Sequence, residues 1–396
     1  METLCFERHY VKRFARYKEF CNERVETVLD EFLNRFCSDW LEEEFIVQAG
    51  ADRYERSGAR LDWRNGHYQR SLTTSRGIFR LRVPRGCAKN YRFSLFEQYK
   101  RHSASFEALL TESILLGHST RKAKRFFEGL LGQAAPSHSL ALRLLKRFDH
   151  ELDAWKRRSL RDGAMILILD AVYLKGFLPY LKSAKPVLCA WAIWPDGHEE
   201  LLDFEAAQGE SLRAWSAFCQ RLHGRGLKNV RLAVSDDNDA LRECMALFWP
   251  KALSQACIFH LLQNLTKGLK GIKVKRKVLR EASWLFEAAS AEEFYRWAKI
   301  FLESWEGKIP KKVLKKFSAA WPDAIRYYQL PKVYWAAART TNRLERLFKE
   351  LKRRTKAFTR FQNPNSGARW LYALLVKQQP MSGTRLKALL KSQQHS

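Results

Sequence analysis

Three carboxylates stand where carboxylates are expensive to keep. Asp170 interrupts the apolar run Met165-Ile166-Leu167-Ile168-Leu169, and on the two-residue period of a strand it shares a face with Ile166, Ile168 and Val172. Burying a lone carboxylate there costs on the order of several kcal/mol, so the group must be salt-bridged to Arg or Lys, protonated or metal-bound. Asp236 directly follows Arg231-Leu232-Ala233-Val234, in the run Ser235-Asp236-Asp237-Asn238-Asp239. Strand ends of α/β sheets are where ligands gather. Asn238 or Asp239 is better placed to cap the helix that follows, which frees Asp236 for chemistry. Glu345 borders the apolar stripe Leu344, Leu347, Phe348 and Leu351. Three residues after Asn342, it either closes a capping-box-like pair or serves as a ligand. It is one of two acids between residues 340 and 360, among Arg343, Arg346, Lys349, Lys352, Arg353, Arg354, Lys356 and Arg360. Three converging carboxylates hold two Mg²⁺ (or Mn²⁺) ions, which prefer oxygen ligands and leave positions for phosphate and water. Two such ions clamp the attacking and leaving oxygens of an in-line phosphoryl displacement, a chemistry that favours basic surroundings.

Other chemistries find less support. Cys257 and His260 form a single C-x-x-H without the second pair of a structural zinc site. They read as a packed cysteine with His260 hydrogen-bonding near the carboxylates. No G-x-x-x-x-G-K-[ST] occurs, so no nucleotide cradle is expected. No Ser/His/Asp or Cys/His nucleophile set is convincing. The eight cysteines include no C-x-x-C pair, which argues for reduced thiols rather than a disulfide frame.

These residues need a scaffold and a polyanion. The chain has 396 residues, a formal net charge of +29, 46% hydrophobic residues and 13% aromatic residues. It can therefore bury a core, which excludes a disordered basic tail. No run approaches 18 apolar residues and no signal peptide opens the chain, so a soluble intracellular protein without a membrane span is expected. The charge is uneven: residues 1–50 carry −4, 51–150 carry +12, 151–250 carry −1 and 251–396 carry +22. Nucleic acid is the expected partner.

The elements follow from periodicity. Residues 1–53 read as a helical element with an apolar stripe (Phe14, Tyr17, Phe20, Cys21, Val25, Val28, Leu29, Phe32, Leu33, Phe36) and an acidic outer face, suited to packing or oligomerisation. Residues 54–160 read as a DNA-binding region. Ile78 to Val83 alternate apolar residues with Arg80 and Arg82, as in a half-buried hairpin strand. Helices bearing Arg121, Lys122, Lys124 and Arg125, then Arg143, Lys146 and Arg147, resemble a helix-turn-helix reader, with Ser119 as an N-cap. Residues 161–260 alternate strands (164–174, PVLCAWAIW, HEELLDFEAA, VRLAV, SQACIF) with helices at 210–223 and 238–249. They predict an α/β mixed sheet completed by residues 339–360, where a helix after Thr340-Thr341-Asn342, running to about 356, carries Glu345 and the basic Lys352, Arg353 and Arg354. Residues 261–338 read as a helical insertion, and 361–396 as a C-terminal helical tail.

Taken in order, several short segments make the chain resemble the Mutator-type family of bacterial insertion-sequence transposases. They are Arg64-Asn65-Gly66, Leu72-Thr73-Thr74, Leu81-Arg82-Val83-Pro84-Arg85, Leu115-Leu116-Gly117-His118-Ser119-Thr120-Arg121 and Leu169-Asp170-Ala171-Val172-Tyr173-Leu174-Lys175, followed by Val234-Ser235-Asp236, Cys257-Ile258-Phe259-His260, Thr340-Thr341-Asn342 and Glu345-Arg346. The resemblance spans roughly residues 54–360, with 66 residues from Asp170 to Asp236 and 109 from there to Glu345. It implies a ribonuclease-H-like catalytic domain, with Asp170, Asp236 and Glu345 as an Asp-Asp-Glu triad and metal ligands, and Cys257 with His260 as a signature near the site. It further implies binding to double-stranded DNA, both terminal inverted repeats and target, by a homodimer or higher oligomer in the bacterial cytoplasm, associated with the nucleoid. Cleavage would precede attack of the freed 3′-hydroxyl on target DNA. Asp237 follows Asp236 where the family usually has a small residue, so either acid is a candidate ligand there. Alternatives are a ribonuclease-H-like nuclease or resolvase, and a DNA-binding regulator with an inactive catalytic domain.

Overall fold

In the computed structural model the described residues are 27–75, 77–88, 91–96, 102–116, 120–131, 137–176, 183–236, 238–355, 361 and 364–377. The apolar positions from Phe14 to Val25, the Ser119 cap, Asp237 and residues 378–396 lie outside them. The chain divides into two compact units, Met1–Ile114 with Thr120–Leu142, and Leu115–Ser119 with Arg143–Ser396.

In the first unit, helix α1 (27–49) packs on an antiparallel hairpin of β1 (Arg64–Thr73) and β2 (Ile78–Gly86). Alternation on β2 sends Phe79, Leu81 and Val83 into the core with Leu41, Phe45 and Ala49, and turns Arg80 and Arg82 to solvent. α1 therefore has two apolar faces. One covers the hairpin; the other leaves Val28, Phe32, Phe36, Trp40 and Val47 exposed. Helices α2 (Ala104–Leu115) and α3 (Thr120–Leu131) follow, with the Phe106 and Phe127 rings 5.3 Å apart edge to face. α4 (His138–Lys146) begins at Ser137, whose hydroxyl accepts the Leu140 N–H at 3.2 Å.

The second unit is built on a five-stranded mixed sheet, ordered β5-β4-β3-β6-β7. Its strands are β3 (Ala164–Leu174), β4 (Lys185–Ile193), β5 (Glu199–Ala206), β6 (Val230–Ser235) and β7 (Leu253–Ala256). β3, β4 and β5 form an antiparallel meander, whereas β6 and β7 run parallel to β3. The Pro195-Asp196-Gly197 turn closes β4 onto β5, with Gly197 in the left-handed region at φ 73°. Parallel strands require crossovers, supplied by α6 (Leu212–Gly224) and α7 (Asp239–Phe248). Trp215, Phe218, Leu222, Leu241 and Met245 from these helices cover one sheet face against Leu167 and Leu169. α14 (Asn342–Thr355) packs against β3 from the other side, so β3 is apolar on both faces.

The expected strand at SQACIF is shorter than the sequence suggested. It ends at Ala256 because the neighbouring β6 stops at Ser235, whose carbonyl takes the Cys257 N–H at 2.8 Å, and α8 (Ile258–Lys267) begins at once. Helices α9 (Ile272–Leu285), α10 (Ala291–Trp305), α11 (Lys311–Ala319), α12 (Trp321–Ala324) and α13 (Lys332–Ala338) make the segment before Glu345 helical. The buried Gln255 side chain stitches this segment to β7, donating to the Ala324 carbonyl and accepting the Tyr327 N–H. In the segment read as a helical tail, helix α15 (Pro364–Tyr372) packs on α5 (Phe148–Arg157), with buried Arg369 bonded to Asp149.

Candidate active site

Register brings the two aspartates together. Ile168 on β3 pairs with Val234 on the parallel neighbour β6, so two residues further on Asp170, still within β3, stands level with Asp236, just past the C-terminal end of β6. Two helix starts reach the same edge. The Ile258 N–H at the head of α8 donates to the Arg339 carbonyl at 3.0 Å, which ties α8 to the residues leading into α14. His260 then lies in the first turn of α8 and Glu345 in the first turn of α14. Helix N-termini favour anions through their unpaired N–H groups.

Thr341, fully buried, joins the pieces. Its hydroxyl donates to Glu345 Oε1 at 3.1 Å and lies 3.5 Å from the Cys257 sulfur. Its N–H donates to the same sulfur at 3.4 Å, and its side chain also lies beside Asp170. Glu345 is thus held by Thr341, not by the capping-box partner Asn342. Asn238 caps α7, accepting the Ala240 N–H at 2.9 Å, which leaves Asp236 outside that role. His260 Nδ1 lies 4.0 Å from Asp236 Oδ1.

Asp170 is buried, and among the described residues no Lys or Arg pairs with it. Burial drives its carboxyl up to about 7, against the opposing pull of the His260 charge, the Ala171 N–H at 2.7 Å and the Thr341 hydroxyl. The nearby Glu345 charge raises it further. Burial alone would lower His260, but its bond to Cys257 and the charges of Cys257, Asp170 and Asp236 prevail and lift it to about 9. A buried carboxylate lacking a strong cation beside two others is an oxygen-donor set suited to a hard divalent ion. The three acids are oxygen donors of the kind such an ion takes, and among the described residues Cys257, His260 and Glu345 are the group whose ligand atoms already lie within 4.8 Å of one another.

α14 adds a track. Leu344, Leu347, Phe348 and Leu351 are buried, and Glu345, Lys349 and Lys352 recur at helical spacing along one side. Lys349, Lys352 and Arg353 are exposed. Arg354 is half-buried, with Nε on Glu350 and Nη1 donating to the Leu115 carbonyl at 3.0 Å. Arg343 anchors the head of α14 to buried Glu199 of β5. Elsewhere Arg80, Arg82, Lys122, Lys124, Arg125, Arg143, Lys146 and Arg147 are exposed, Lys124 with Glu128 at 3.4 Å; the Arg121 side chain lies outside the description. Sequence reasoning missed Thr341 and the Arg343–Glu199 anchor. For Thr341 the only signal was its place in Thr340-Thr341-Asn342.

Among the described residues no helix is long and apolar enough to cross a membrane. The family described as transposase, Mutator family, matches residues 6–381. A transposase for insertion sequence element ISRM5 from Rhizobium meliloti (strain 1021) is 36% identical over 354 residues, covering 88% of this chain and 87% of the relative. A transposase for IS406 from Burkholderia multivorans is 31% identical over 329 residues, covering 83% and 84%. One for IS905 from Lactococcus lactis subsp. lactis is 27% identical over 365 residues, covering 91% and 90%.

Proposed function

The chain belongs to the Mutator family of transposases, and from that premise we propose that Asp170, Asp236 and Glu345 are its catalytic acids. One observation carries the reading: acids far apart in sequence gather at one sheet edge, around Thr341 and His260. The mixed sheet with its crossover helices and the helical segment before Glu345 support a ribonuclease-H-like domain.

Asp170, Asp236 and Glu345 would hold two Mg²⁺ or Mn²⁺ ions, whose chemistry when bound is to activate water and stabilise charge on the displaced phosphate. Asp170 would hold such an ion in its ionised form, with the Ala171 N–H on its carboxylate. Thr341 fixes the Glu345 carboxylate, and His260 sets the field beside Asp236. Lys349 and Lys352 guide the DNA backbone toward Glu345 along α14. Hydrolysis at the element end leaves a 3′-hydroxyl. Attack of that hydroxyl on a target phosphodiester forms one phosphodiester as it breaks another, so strand transfer needs no nucleotide cofactor. Binding is directed at terminal inverted repeats, with Arg80 and Arg82 on the hairpin, the basic residues of α3 and those of α4 each contributing DNA contacts. Self-association of the chain is assigned to the exposed stripe of α1.

Asp170→Asn, Asp236→Asn and Glu345→Gln should each abolish cleavage of a labelled inverted-repeat end in Mg²⁺ while gel-shift affinity for that end is kept. Wild-type cleavage by any one of the three removes that residue from the mechanism.

A further inference from the structure

A lone C-x-x-H lacks ligands for zinc in the sequence, but the fold supplies one from 85 residues away. The Cys257 sulfur, a ring nitrogen of His260 and a carboxylate oxygen of Glu345 all lie within 4.8 Å of one another. We propose that Cys257, His260 and Glu345 form a binding site for a thiophilic divalent cation, zinc foremost, that shares Glu345 with the hard-metal site.

The donor set argues for the ion. Thiolate and imidazole select zinc and its neighbours over magnesium, whereas the aspartates offer only oxygen. Zinc bonds of about 2.0–2.3 Å in tetrahedral array place ligand atoms about 3.5 Å apart, so the trio must close by about 1 Å. His260 and Glu345 can do this, because both are half-buried side chains on helix first turns. Cys257 is fixed: it is buried where β7 passes into α8, its N–H tied to Ser235. The Thr341 N–H already donates to its sulfur, the kind of outer hydrogen bond that steadies a ligating thiolate. His260 Nδ1 is buried and, among the described residues, has no hydrogen-bond partner. The Asp236 carboxylate lies 4.0 Å away, beyond hydrogen-bond reach, so the nitrogen's bonding capacity is unused.

Binding converts Cys257 from thiol to metal thiolate and releases its proton to solvent, with no change of oxidation state. Three protein ligands leave the fourth position to water. If Glu345 is also a catalytic ligand, as proposed above, zinc and magnesium compete for it, and zinc inhibits cleavage. Only this competition rests on the catalytic reading.

The test is a Co²⁺ titration of the full-length reduced protein, read by absorbance. The expected result is a one-to-one near-ultraviolet thiolate-to-cobalt charge-transfer band with intense visible bands of a tetrahedral site, displaced by Zn²⁺. Cys257→Ser should lose the charge-transfer band. Glu345→Gln and His260→Gln should weaken binding by more than the roughly 10–100-fold that losing a supporting hydrogen bond costs. Asp170→Asn should keep the band and its affinity even though it no longer cuts DNA. Circular dichroism checks that each variant is folded, and if Cys257→Ser is not, Cys87→Ser, altering an exposed thiol, must leave the band intact. No charge-transfer band in the wild type, a band that survives in Cys257→Ser, or one lost in Cys87→Ser overturns the site. A band that behaves as expected while the triad variants still cut DNA upholds the site and sinks the catalytic reading.

Discussion

Asp170 carries a cost that only a cation removes. Its carboxyl, raised by burial to about 7 against an ordinary 3.8, is protonated in the folded chain over a range where it is ionised in the unfolded one. Its contribution is therefore most favourable below about pH 4, falls as pH rises to about 7, and stays unfavourable above, on the order of 4 kcal/mol in full. Asp170→Asn keeps the shape and deletes the ionisation. In chelator, its thermal midpoint should exceed the wild type's by several degrees at pH 8, with the gap narrowing toward pH 5. Mg²⁺ should then stabilise the wild type and leave the variant unmoved. Equal midpoints at pH 8 would mean that Asp170 is not held in a costly state. Thr341 is the complementary case, a neutral residue whose worth is placement. Its hydroxyl proton goes to Glu345. Thr341→Val should weaken Mg²⁺ dependence of cleavage by about 10–100-fold, and Thr341→Ser should restore it. A Val variant with unchanged Mg²⁺ dependence would reduce Thr341 to packing.

Elements announce themselves in sequence when burial is two-sided or strictly alternating. β3 shows as an apolar run, broken at Asp170, because α6 and α7 cover one face and α14 packs on the other. β2 shows by its Arg80 and Arg82 alternation with core residues. α1 was only half legible. The run from Val28 to Phe36 gives helical spacing, but which residues face in depends on a hairpin that follows later in the chain, and only Leu33 of that set packs on it. The two aspartates were legible because each sits against a strand. Glu345 needed its basic surroundings, and Thr341 had no chemical signal, since its partners come from residues 170, 257 and 345. The junction of α5, β5 and α6 was equally invisible. There Asp203, buried, meets Lys156 at 2.5 Å, Arg225 at 3.1 Å and Arg221 at 3.8 Å. Such a cluster adds little net stability when complete, but losing its buried acid leaves half-buried Arg225 with no carboxylate there and leaves Lys156 and Arg221 only the exposed Glu205. Asp203→Ala should cost about 3–5 kcal/mol in urea unfolding, with cleavage per folded molecule retained. A loss below about 1 kcal/mol would show that water replaces the carboxylate.

At the scale of the whole molecule, a charge of +29 predicts affinity for DNA but not where it is exerted. Counterion release makes the location measurable, because each phosphate neutralised steepens the dependence of log K on log salt by about 0.9. α14 offers a contrast within one helix. Lys349 and Lys352 are exposed on the side that carries Glu345, whereas the Arg354 guanidinium is held by Glu350 and the Leu115 carbonyl. Formal charge is the same at all three positions, so a diffuse cationic field would make them equivalent. A phosphate track would not. Lys349→Ala with Lys352→Ala should flatten the salt slope for an inverted-repeat duplex by about 2 and weaken binding alike across unrelated sequences. Arg354→Ala should leave the slope nearly unchanged and instead lower the thermal midpoint, because Glu350 and the carbonyl lose their partner. The arginines of β2 should follow the lysines, since Arg80 and Arg82 stand clear of the hairpin core. If Arg354→Ala flattens the slope as much as either lysine variant, charge acts through the field of the whole molecule and α14 is no track.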